Sequence, residues 1–114
     1  MMQDILQKGY NLTDIPDSVR VYFTDYTIQV LPPYEVSQGE EMAAGLCELR
    51  VENIKIADNM TANMTRQTLL HEIIHAIDFH AQIGLTEAQV NALDYGILGV
   101  LRSNPDLAAY LLGD

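Results

Sequence analysis

Apolar and polar residues alternate from Val19 to Leu31. Val19, Val21 and Phe23 fall on one side, and Arg20, Tyr22 and Thr24 on the other. A period of two among β-branched and aromatic residues predicts extended chain, folded into a hairpin near Asp25–Tyr26 and ended by Pro32 and Pro33. The acidic connection that follows is expected to carry no more than a helical turn, as is the region Asp4–Lys8 near the start. Strand character resumes over residues 45–58. Cys47, Leu49 and Val51 share a face, then the phase shifts to Ile54 and Ile56, which places a turn or bulge at Glu52–Asn53. From Thr65 the apolar spacing lengthens to three and four, predicting a helix to His80 that ends by Gly84. A second helix starts at Thr86, whose Thr-x-x-Gln forms a capping box with Gln89, and an apolar stripe of Val90, Leu93, Ile97, Val100 and Leu101 runs to about Arg102. Asn104 and Pro105 read as cap and first residue of a short last helix. Strands first and helices after them predict one α+β domain over residues 1–114, a small antiparallel sheet packed on a helical pair.

The first long helix carries the sequence TLLHEIIHAIDF, residues 68–79. At 100° per residue His71, His75 and Asp78 share a sector, while Leu69, Leu70, Ile73 and Ile77 point to the opposite side with Ile74 at its flank. The histidines therefore lie off the expected core face. Two imidazoles one turn apart can reach a single ion, and zinc is bound by such nitrogens in tetrahedral array. Glu72 stands beside that position, suited to take a proton from metal-activated water; this is the mechanic of a His-Glu-x-x-His helix.

A third ligand has to come from elsewhere. Asp78 lies about 10 Å along the axis from His71, too far to share an ion with both histidines, and is expected to orient an imidazole or to be plain surface. On the second helix Glu87, Asn91 and Asp94 form a polar stripe that can face the histidines across a helical hairpin. Glu87 has the longer reach but lies nearer the turn, and Asp94 is level with the site but short. Spacing leaves both open as the third ligand, with Asn91 a supporting polar group.

Charge narrows the partners. Sixteen acidic against six basic residues give a formal net charge of −10, which disfavours a nucleic-acid backbone. A single cysteine, Cys47, excludes an internal disulfide and reads as a small buried hydrophobe. The first residues show no basic leader before an apolar run, and no stretch has the length of a membrane span, so the expected setting is the cytoplasm.

The segments TLLHEIIHA and LTEAQVNALDYGIL together resemble the ImmA/IrrE-like metallopeptidases of phages, mobile elements and bacteria, over about residues 54–101. The resemblance implies a minimal zincin-like fold, Zn2+ as cofactor, His71 and His75 as ligands, Glu72 as catalytic base and Glu87 as third ligand, with Glu87 and Asn91 matching the family's helix-opening pattern. It also implies a protein or peptide substrate. Such a substrate could be aligned on a strand edge, and Tyr95 and Tyr34 are the candidate oxyanion stabilisers. The expected pH behaviour is loss of metal below about pH 6, where both histidines begin to protonate. The competing reading is a non-catalytic interaction module of phage or bacterial origin, in which zinc is structural or absent.

Overall fold

The computed structural model describes residues 15–37 and 43–113. Its first hairpin joins strand β1 (Ser18–Val21) to β2 (Thr24–Leu31) in antiparallel register, Val21 opposite Thr24. The chain reverses at Tyr22–Phe23, with Tyr22 at φ 56°, and not at Asp25–Tyr26. Asp25 instead lies within β2 opposite Arg20, and receives hydrogen bonds from its Nε and Nη2 at 2.8 and 3.0 Å. Pro32 and Pro33 do end β2, and Pro33 opens the one-turn helix α1 (Pro33–Val36).

Strand β3 (Gly45–Glu48) and β4 (Asn53–Ala57) form the second hairpin, around a turn that closes at Glu52 with φ 56°. β4 then pairs with β2 in parallel, so the sheet order is β1-β2-β4-β3 and the sheet is mixed. This corrects the expectation of an antiparallel sheet. Alternation reports which face a residue takes and carries no information on strand direction; the crossover through α1 and β3 sets the parallel pair. The expected helical turn at Asp4–Lys8 lies outside the described residues.

The sheet's inner face supplies the core: Val21, Tyr26, Ile28, Ile54 and Ile56, with Ala76 packed among them. Helix α2 (Ala62–Ala81) lies across this face, and starts three residues earlier than the apolar period suggested because Thr61 accepts a hydrogen bond from the Met64 amide as N-cap. Leu69, Ile73 and Ile77 flank the core as expected. Ile74, expected at the flank, is buried, and so is the line Thr65, Thr68, Glu72 and Ala76. The residues of that line are small or polar, and the reason is a close approach. A Cβ on Gly45 would come 2.6 Å from Thr68 Cγ2 and 3.0 Å from Glu72 Oε2. Gly45→Ala is therefore expected to destabilise the fold by about 1–3 kcal/mol, the usual cost of overpacking. Thr68→Ser, which removes the nearer methyl, should restore part of it in thermal unfolding.

Helix α3 (Glu87–Ser103) packs against α2 as the second arm of a helical hairpin. Its capping box forms as the sequence predicts: Thr86 N–H donates to Gln89 Oε1 at 2.9 Å, and Gln89 N–H to Thr86 Oγ1 at 3.1 Å. The apolar stripe is only partly used. Val90 is fully buried, whereas Leu93, Ile97 and Val100 remain 41, 41 and 51% exposed. The last helix, α4 (Leu107–Leu112), begins two residues after Pro105, with Asp106 as N-cap. No helix among the described residues is long and apolar enough to cross a membrane.

Candidate metal centre

The turn between α2 and α3 positions the site. α2 ends on Gln82 in the left-handed conformation, φ 55°, and Gly84 follows at φ 83°. Asp78 Oδ1 receives the amides of Gly84 and Leu85 at 2.7 and 3.1 Å. Asp78 thus fastens the turn, and the role of orienting an imidazole passes to another residue. The reversed chain brings Glu87, first residue of α3, directly over His71 and His75.

There three donor groups converge. His71 Nε2 and His75 Nε2 lie 3.2 Å apart, Glu87 Oε2 is 3.3 Å from His75 Nε2, and Glu87 Oε1 contacts His71 Nε2. Four ligands held tetrahedrally at zinc distances of about 2.0–2.1 Å are separated from one another by roughly 3.3 Å. The 3.2 and 3.3 Å spacings are those of neighbouring ligands on one such ion. Two imidazoles and a carboxylate are also a donor set that suits zinc, and these three residues form a cluster able to hold a metal ion.

Asp94 is not among the three. Its carboxylate, 1% exposed, accepts from His71 Nδ1 at 2.7 Å through Oδ2 and from Gln67 Nε2 at 3.0 Å through Oδ1. With the Nδ1 proton committed to Asp94, His71 turns the lone pair of Nε2 toward Glu87 and His75. Gln67 is a partner of the site that the apolar pattern does not mark. Its signal in the sequence is the spacing one turn before His71, on the side of the helix that faces the polar stripe of Glu87, Asn91 and Asp94. Asp94→Asn should lower metal affinity about 10–100-fold while leaving all three converging side chains in place; zinc titration calorimetry reads this directly.

Glu72 lies under the cluster, 6% exposed. Burial raises its pKa above the ordinary carboxylate value, partly offset by His71, His75 and a hydrogen bond from the Cys47 amide, while Glu87 adds to the rise. For His71 burial acts against the charged form, but the bond to Asp94 and the neighbouring Glu72 and Glu87 carboxylates outweigh it, so its pKa is raised. Burial, with Glu72 and Glu48 nearby, pushes the Cys47 thiol up to about 12. That leaves it an un-ionised, half-buried side chain, in keeping with its reading as a small hydrophobe.

A cleft of about 710 Å3 opens over these groups, between α2 and the segment from Ala43 to Leu49, with Glu87 and Asn91 on its far wall. Asn91 is exposed there. The two tyrosines considered as oxyanion stabilisers are elsewhere: Tyr95 and Tyr34 are 68 and 76% exposed and neither lines the cleft. Tyr95 follows Asp94 on α3 and so turns away from the buried face, and Tyr34 sits on α1. His80 is also apart from the cluster, its Nε2 2.8 Å from the hydroxyl of buried Tyr26.

Compared with known family models, curated proteins and solved structures, the chain matches none.

Proposed function

We propose that the protein is a zinc-dependent hydrolase of peptide bonds. The observation that carries this reading is the convergence of His71, His75 and Glu87 into one cluster of metal-ligating groups, beside a buried carboxylate and beneath an open cleft. His71 and His75 would hold the ion through Nε2 and Glu87 through its carboxylate, which is exposed and leaves the cleft side accessible to solvent and substrate. Zinc, when bound, polarises a carbonyl and makes water acidic near neutral pH.

The remaining chemistry belongs to the chain. Glu72 takes the proton of the attacking water and returns it to the departing amine, so it must be a good base and then a good acid. Its burial raises proton affinity in the direction that both steps need. Asp94 and Gln67 keep the His71 ring in one orientation. Gly45 admits the Glu72 side chain against β3, and the Cys47 amide steadies its carboxylate.

A peptide is favoured as substrate because β3 is an edge strand and the segment Ala43–Cys47 lines the cleft, so an extended chain can lie along it next to Glu72. The resemblance of the segments TLLHEIIHA and LTEAQVNALDYGIL to those of ImmA/IrrE-like metallopeptidases points to the same activity. The test is hydrolysis of a mixed peptide library by zinc-loaded wild type and by Glu72→Gln. Cleavage by the wild type alone is the expected result, and equal rates would exclude the proposal.

A further inference from the structure

The end of the cleft beyond His75 is apolar. Phe79 stands one turn after His75 on α2, lines the cleft, and is 53% exposed. The opposite wall there is Leu49. A Cβ on Gly45 would meet Thr68 and Glu72, and the Cys47 amide reaches Glu72, so β3 advances toward the C-terminal half of α2. Leu49 follows two residues later, half-buried, and lines the same cleft.

Phe79 is held in place from behind. Its ring meets His80 edge to face, with centroids 5.2 Å apart at 78°. His80 in turn lies against Tyr22 and Tyr26, each with centroids at 5.9 Å, and its Nε2 is 2.8 Å from the hydroxyl of fully buried Tyr26. None of these contacts serves the metal-ligating cluster. They fix an aromatic face at the end of the cleft without burying it. A ring braced in this way loses little conformational entropy when a ligand covers it, so it offers a preorganised apolar contact. Met64, at the opposite end of the cleft and 46% exposed, is a flexible side chain with less power to discriminate.

Charge sharpens the selection. Among the described residues, those lining the cleft include Glu72, Asp78, Glu87 and Asp94 and no lysine or arginine. Asp78 adjoins Phe79 and keeps its Oδ1 on the amides of Gly84 and Leu85. An acidic side chain arriving here would leave water beside another carboxylate and meet no cation. An apolar one would exchange water for the surfaces of Phe79 and Leu49. Four residues of helical rise place Phe79 about 6 Å past His75, a distance that an extended peptide covers in about two residues.

Taking the peptide proposed above as the occupant of the cleft, we propose that Phe79 and Leu49 form an apolar subsite for one of its side chains, within about two residues of the bond cleaved. This end of the cleft selects leucine- or phenylalanine-like side chains and rejects acidic ones.

Binding and cleavage are measured apart. Capped octapeptides of alanine and serine, carrying a single Leu, Phe, Lys or Glu at each position in turn, are titrated into the zinc-loaded full chain with Glu72→Gln in place to prevent turnover. At one position Leu and Phe are expected to bind on the order of 100-fold more tightly than Glu. Phe79→Ala should cut that preference about 10-fold or more at this position alone. Phe79→Lys should turn it toward Glu, with zinc affinity unchanged in both variants. Equal binding of the Leu and Glu peptides, a preference that survives Phe79→Ala, or no binding at all overturns the proposal. Hydrolysis of the same peptides by the wild type tests the peptidase reading separately. Leu-selective binding without cleavage keeps the subsite and removes the peptidase, and cleavage without selectivity does the reverse.

Discussion

Replacing either His71 or His75 with alanine is expected to lower zinc affinity by a factor on the order of 10^3 or more. That exceeds the 10–100-fold loss expected when only a group behind a ligand is removed. The reason lies in the convergence: the two ring nitrogens lie 3.2 Å apart and each neighbours the Glu87 carboxylate, so deleting one ring leaves two donors and an open gap. Thermal unfolding gives a second reading of the same loss. Zinc bound to the folded chain alone would raise its Tm, and that increment is expected in the wild type and absent in both variants. The pH dependence has a defined sign. The His71 pKa is raised in the folded, metal-free chain above its ordinary 6.5. Its contribution to stability is therefore full below about pH 6.5 and lost as pH climbs through the raised value. Zinc held at His71 would compete with the same proton, so zinc affinity is expected to rise across that window while metal-free stability falls. The raised pKa also moves the onset of metal loss upward from the pH 6 that two ordinary histidines would give.

Glu72→Gln should lower peptide hydrolysis about 10^2–10^4-fold, the range associated with a positioned acid–base group. Zinc affinity should change little, because Glu72 is not among the three converging donors. Stability supplies an independent check. A buried carboxylate with a raised pKa favours its neutral form in the folded state, so ionisation weakens the fold as pH rises above the ordinary 4.5. Glutamine keeps an oxygen to accept the Cys47 amide and removes the charge. Metal-free Glu72→Gln is therefore expected to unfold about 2–5 °C higher than wild type near pH 7. Lost activity together with a raised Tm separates a missing base from a damaged fold.

Much of this arrangement is legible from periodicity. The i, i+4 histidines and the Thr86 capping box follow local rules that no distant contact overrides, and they appear where the pattern puts them. The mixed sheet is not legible in this way, because strand direction depends on a crossover and leaves no mark on alternation. The burial of Glu72 is hidden for a related reason. On the helical wheel it borders the polar sector, and only the absence of a side chain at Gly45, on β3, lets α2 approach closely enough to cover it. The choice between Glu87 and Asp94 turned on side-chain length and on a turn held by Asp78, neither of which spacing expresses. Leu93, Ile97 and Val100 teach the reverse lesson. A sound amphipathic stripe marks a surface suited to burial, and within the described chain most of this one remains uncovered.

Crystals of the zinc-loaded protein, with anomalous scattering recorded across the zinc edge, show whether His71, His75 and Glu87 together hold one divalent cation. One strong peak is expected, bonded at about 2.0–2.2 Å to Nε2 of His71, Nε2 of His75 and a carboxylate oxygen of Glu87, with Asp94 still on His71 Nδ1. A peak lacking any of those three bonds, or none at this position from crystals shown by elemental analysis to contain zinc, would contradict that arrangement.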